Sequence, residues 1–200
     1  EYAYIGSNVA ALMFGGDQPG DGNILVGPGN GNYAAIDSGS NSRGAVFGNH
    51  FVGTHLKPWY LRYVTGDGPL MRRPNDPGDA DGSNGGRDPG VQNHPDIVSF
   101  AVQPDGLHIG YRVDATTANT RYPLQVEFYS ATTQAPLDRL GTDTYTAAEA
   151  QTTKQIVLPT PPGGWPANAV VIASALASMP PATSSRESSE IGWHPVTMNF

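Results

Sequence analysis

Hydrophobic positions change their rhythm near residue 95. Upstream they form short apolar clusters, each closed by glycine, asparagine or aspartate. Residues 8–14 lead into Gly15 and Gly16, residues 23–26 into a run of Gly and Asn at 27–32, residues 44–47 into Gly48 and Asn49, and Phe51-Val52 into Gly53. Clusters this brief predict strands of a few residues, and Gly and Asn tolerate the positive φ that sharp turns between them need. Their centres lie roughly 15 to 22 residues apart, about one rung of a stacked β-solenoid. Asn-Gly turns would equally serve ordinary hairpins in a loop-rich all-β domain.

Downstream the clusters lengthen and alternate. Strands are expected at 96–102, 107–114, 124–129, 154–158 and 169–173. Leu107, Ile109, Tyr111 and Val113 interleave with His108, Gly110, Arg112 and Asp114, the period of two that marks a strand with one buried face. Pro104-Asp105-Gly106 supplies a hairpin turn, because proline presets φ and glycine accepts a positive one. Thr146 and Glu149 have capping-box spacing for one short helical turn. Five such strands with turns between them predict an immunoglobulin- or fibronectin-like β-sandwich. The fold class is therefore all-β, divided into solenoid rungs at 1–73, an acidic Pro/Gly junction at 74–95 and a sandwich at 96–200.

Composition sharpens that boundary. Of the 25 glycines, 19 fall before residue 96, and with 18 prolines in the chain a helical bundle is excluded. The net charge is −7, and the 11 basic residues form no stripe, so nucleic acid is not an expected partner. The longest apolar run, 167–177, is too short for a membrane-spanning helix. With no cysteine, disulfides, thiolate metal sites and cysteine nucleophiles are all excluded. Glu1 in place of a start methionine suggests a processed chain or part of a longer one.

Several motifs occur in an informative order. Residues 22–27 (Gly-Asn-Ile-Leu-Val-Gly) and 48–54 (Gly-Asn-His-Phe-Val-Gly-Thr) resemble rungs of secreted bacterial Gly/Asn-rich right-handed parallel β-helices. Residues 74–82 followed by 91–95 resemble the junction at which such helices meet a C-terminal immunoglobulin-like sandwich, and 124–130 is similar to a strand beyond it. The family's terminal strand is matched only faintly, at 173–177 and 185–190. The resemblance implies a fold and an extracellular or bacterial cell-surface setting more than an activity.

Candidate chemistry is concentrated in the junction. Asp76, Asp79, Asp81 and Asp88, with nearby asparagines, form an oxygen-rich set suited to Ca²⁺, although Gly90 stands where an EF-hand would place its closing glutamate. Arg72, Arg73 and Arg87 are alternative neutralisers, and Asx turns in a solvated loop are the plain reading. Trp59, Tyr60 and Arg62 are candidates for stacking on a sugar, set against ordinary packing. Asp37, Arg43, His50, His55, Lys57 and Arg62 would be the groups of a polysaccharide-cleaving face. No nucleophile elbow, zinc-protease helix or phosphate loop is present.

The expectation is a non-enzymatic surface, adhesion or assembly module, whose open solenoid end meets an upstream part of the same polypeptide, a partner subunit or the next copy in a filament. The alternative is the C-terminal portion of a β-helical polysaccharide lyase or hydrolase, or a carbohydrate-binding protein.

Overall fold

The computed structural model describes residues 3–5, 12–15, 22–26, 36–38, 44–52, 59–61, 75–80, 92–131 and 138–177. Among them the chain is all-β, with a 3₁₀ turn at Ala147–Glu149.

The upstream strands are three or four residues long: β1 (Ala3–Ile5), β2 (Leu12–Gly15), β3 (Ile24–Val26), β4 (Ile36–Ser38), β5 (Gly44–Phe47), β6 (His50–Val52) and β7 (Trp59–Leu61). All their pairings are parallel, in the orders β1-β4-β7, β2-β5 and β3-β6. The chain therefore visits three ladders in rotation. Partners are separated by 33 residues (3 to 36), 32 (12 to 44), 26 (24 to 50) and 23 (36 to 59). These offsets exceed the cluster spacing of the sequence because one circuit takes in three short strands rather than one. β4 carries a single large apolar residue, Ile36, which explains why its pattern alone did not announce it.

Downstream lie β8 (Asp96–Gln103), β9 (Gly106–Arg112), β10 (Leu124–Ala131), β11 (Asp138–Tyr145), β12 (Lys154–Leu158) and β13 (Val170–Ala177). They form two antiparallel sheets, β12-β9-β8 and β11-β10-β13. Leu107, Ile109, Tyr111 and Val113 are all fully buried, as their alternation predicts. They join Leu124, Val126, Phe128, Tyr145, Val171 and Ala173 in one core shared by both sheets. Each such side chain removed from water contributes about 1.5–3 kcal/mol for the larger aliphatic and aromatic residues. Tyr111 meets the Phe128 ring edge-on at a centroid distance of 5.1 Å. The turn before β9 requires glycine: Gly106 has φ +145°, and a Cβ there would lie 2.5 Å from the Leu158 carbonyl oxygen.

β10 breaks the expected alternation, because both of its faces are covered. Leu124, Val126 and Phe128 enter the core, yet Glu127 and Tyr129 on the opposite face are also buried, as are Ile172 and Ser174 beside them on β13. The residues between β5 and β6 approach this second face, where Glu127 accepts a hydrogen bond from Gly48 and Tyr129 donates one to Asn49.

Candidate functional site

The most concentrated chemistry among the described residues is a carboxylate on that second face of β10. Glu127 stands in the middle of β10, between Val126 and Phe128, and is fully buried. Its Oε1 and Oε2 accept the Gly48 N–H at 2.9 and 3.0 Å. Oε2 also accepts the Tyr129 hydroxyl at 2.8 Å, and Oε1 accepts Arg139 Nε at 2.7 Å. Gly48 can offer its amide in this direction because its φ is +72°, where a side chain would be strained. Burial pushes the Glu127 carboxyl above its ordinary range, opposed by Tyr129, Arg139 and the Gly48 amide. Burial, reinforced by the neighbouring carboxylate, also holds Tyr129 firmly in its phenol form. The result is a paired interior charge with its donors supplied, rather than a poised acid with an open approach.

Beside Gly48 the hydrogen bonding continues from Asn49 to Asn23. Asn49 is buried, and its Oδ1 accepts both the backbone N–H and the side-chain Nδ2 of Asn23, each at 3.1 Å. Gly22 passes so close to Gly48 that a Cβ would lie 1.8 Å from the Gly48 carbonyl oxygen. The two Gly-Asn pairs singled out in the sequence are thus stacked in register, immediately before β3 and β6.

The junction forms a second knot. Asn75 and His94 exchange two hydrogen bonds, Asn75 Nδ2 to the His94 carbonyl at 2.8 Å and His94 N–H to Asn75 Oδ1 at 2.9 Å. Asn93 Nδ2 donates to the Asp76 and Asp114 carbonyls, both at 2.6 Å. Asp79 is buried with φ +61°; its Oδ1 accepts the Asn93 N–H at 2.7 Å and its Oδ2 accepts the Thr120 hydroxyl. Asp76 Oδ2 accepts the Ala80 N–H. Both carboxylates of this pair therefore take up donors of the protein itself.

Of the residues proposed for calcium, Asp76 and Asp79 lie in this knot, while Asp81 and Asp88 fall outside the described residues. Among the described residues no three His, Asp or Glu side chains are grouped to share an ion. Trp59 and Tyr60 lie in β7, where the ladder aligns Tyr60 with Asp37 and Asp37 with Tyr4; Arg62 is outside the described residues. Asp37 and His50 belong to different ladders, β1-β4-β7 and β3-β6, and Arg43, His55 and Lys57 are outside the described residues.

A third group joins Lys154 to Asp143 Oδ2 at 2.9 Å and to Glu149 Oε1 at 3.1 Å, with the buried Tyr111 hydroxyl donating to Asp143 Oδ2 at 2.6 Å. Partial burial works against the Lys154 charge, but the hydrogen bonds of Asp143 and Glu149 outweigh it and raise its pKa. For Glu149 burial likewise opposes ionisation, and the Thr146 amide and hydroxyl together with Lys154 nevertheless lower its pKa. Thr146 N–H donates to Glu149 Oε2 at 2.6 Å, the reach-back expected from their spacing.

No family model, curated protein or solved structure matches this chain.

Sequence reasoning did not single out Glu127, Arg139 or Tyr129. The available signal was a lone carboxylate flanked by Val126 and Phe128, with an arginine twelve residues on.

Proposed function

We propose that the chain is a non-enzymatic extracellular module of bacterial surface structure, adhesion or assembly, built as a short parallel β-helix joined to an immunoglobulin-like sandwich. The rotation of β1–β7 through three parallel ladders supports the β-helix. The sandwich is supported by connectivity: the first two strands share a sheet with the fifth, and the third and fourth share the other with the sixth, as in fibronectin-like domains. The order of the Gly-Asn rungs, the Asn75–Asp81 junction and the strand around Glu127 supports the resemblance to secreted Gly/Asn-rich β-helical proteins.

The observation that carries the non-enzymatic reading is how the described carboxylates are engaged. Glu127, Asp76, Asp79, Asp143 and Glu149 all accept hydrogen bonds from the chain's own backbone or side chains, tying strand to strand or loop to loop. A polysaccharide-cleaving site needs carboxylates directed at a substrate instead.

The test is incubation with a panel of acidic and neutral polysaccharides, with and without calcium. No new reducing ends and no unsaturated products are expected, and either product overturns the reading in favour of a polysaccharide-active enzyme. Binding without cleavage places the module among adhesion proteins, with Trp59, Tyr60 and Arg62 the first residues to exchange. Calcium at the Asp76–Asp88 segment is part of this proposal, and it requires a higher melting temperature in millimolar Ca²⁺ than in chelator.

A further inference from the structure

We propose that residues 159–169, which join β12 to β13, form a strap that Trp165 fastens to the sandwich and that opens by rotation at Gly163-Gly164. From Pro159 to Asn168 every residue is exposed except Pro161 and Trp165, which are partly buried. Among the described residues the hydrogen bonds of the strap are two turns inside it, Gly164 N–H to the Pro161 carbonyl at 3.0 Å and Ala169 N–H to the Pro166 carbonyl at 3.1 Å. The prolines at 159, 161, 162 and 166 have no N–H with which to tie it to a neighbouring strand. Attachment to the core therefore falls chiefly on one side chain. The Trp165 ring lies tilted at 45° on Phe100 of β8, with centroids 4.8 Å apart, and both rings pack against the core.

That seat suits the carbon atoms of the indole but not its nitrogen. Trp165 Nε1 is buried and has no hydrogen-bond partner among the described residues. A buried donor without an acceptor forfeits a free energy comparable to what the burial of a large apolar side chain gains. The closed strap is thus held by a small margin, and opening returns the N–H to water.

The backbone is jointed where such a motion needs it. Gly163 and Gly164 have φ +94° and +88°, and a Cβ at either would meet nothing within 4 Å, so conformation and not space calls for glycine there. Pro161-Pro162 before the pair and Pro166 after Trp165 are fixed in φ, which concentrates rotation at the two glycines. Opening lifts the indole clear and uncovers Phe100, while the ladders of both antiparallel sheets stay paired. The strap is a local switch in the aromatic surface that the sandwich presents, and it operates without unfolding the domain.

Hydrogen exchange followed by NMR on the full chain tests this. The Trp165 indole N–H, assigned by its absence from Trp165→Phe, and the Ala169 amide report on the strap; the Leu107 and Ile109 amides report on the core. In the unaltered protein Ala169 should exchange ~100-fold or more faster than the core pair. Gly163→Ala, which penalises the closed backbone, should speed both strap reporters ~10-fold and leave the core pair unchanged. Trp165→Phe keeps a ring on Phe100 and removes the unpaired donor, so exchange at Ala169 should slow ~3-fold or more. Exchange of the strap only together with Leu107 and Ile109 overturns the proposal, as does an unchanged rate in Gly163→Ala. Equal or faster exchange at Ala169 in Trp165→Phe overturns the role given to the indole nitrogen. The core pair shows for each variant that the domain is folded, and none of these outcomes depends on whether the chain acts on polysaccharide.

Discussion

Residues 3–61 and residues 92–177 are both β-structure, yet they are held together in different ways. The downstream strands run to eight residues, pair as antiparallel neighbours and bury Leu107, Ile109, Tyr111, Leu124, Val126 and Phe128 in one core. The upstream strands are three or four residues long and pair only in parallel, with partners 23 to 33 residues away. Strands that short draw stability from the layers beside them, so such a stack is only as firm as its end contacts. Glu127 supplies one of those contacts: a residue of the antiparallel half holds a backbone amide of the parallel half. An antiparallel core tolerates an isolated hairpin at its edge, whereas a stack of brief parallel strands needs a fixed layer from which to build.

The largest effect expected is therefore in the downstream core. Phe128→Ala should cost about 3–5 kcal/mol and abolish the cooperative transition of the whole chain at physiological temperature, read by calorimetry or urea denaturation. A separate, surviving melting transition for residues 3–61 would break the dependence of one half on the other.

Glu127→Ala comes next. Leaving Arg139, Tyr129 and the Gly48 amide unpartnered should cost about 3 kcal/mol, with loss of hydrogen-exchange protection at Gly48 and Asn49 before any loss at Leu107. Simultaneous loss everywhere would mean that the carboxylate supports the core rather than the link.

Gly22→Ala should cost about 1–3 kcal/mol, confined to the upstream ladders, because its methyl group has no room beside the Gly48 carbonyl. Unchanged exchange at β3 and β6 would contradict the close approach.

Two pH effects are smaller and opposite in sign. Glu127 has a raised folded pKa, so its influence favours folding most below its unfolded pKa and falls away as pH rises through the folded one; Glu127→Gln should flatten that slope. Glu149 has a lowered pKa, so its contribution is present above the unfolded value and is lost as pH falls through the folded one. Lys154→Met should remove under about 1 kcal/mol at neutral pH and weaken the Glu149 response, both measured by urea titration across pH 3–8.

The unequal legibility of the two halves has a physical origin. The alternation around Leu107–Val113 announces a strand with one wet face, and the structure has one. β11 was missed because Asp138, Arg139, Gly141 and Asp143 present a half-exposed strand without an apolar stripe. Glu127 was not singled out because nothing local marks a strand with both faces covered, as β10 is. The repeated Gly-Asn pairs were visible as motifs, but their stacking depends on the 26-residue offset between them, which no local pattern encodes. In the acidic junction, spacing shows the oxygens of Asp76 and Asp79 but not the donors that Asn93 and Thr120 bring to Asp79 from distant positions.

Glu127 holds its upstream partner through a backbone amide, a group that every residue but proline carries. The link therefore depends on the path of the chain at Gly48 and not on a side chain there, so the parallel strands on either side of Gly48 could change in sequence without loosening their attachment to the downstream half.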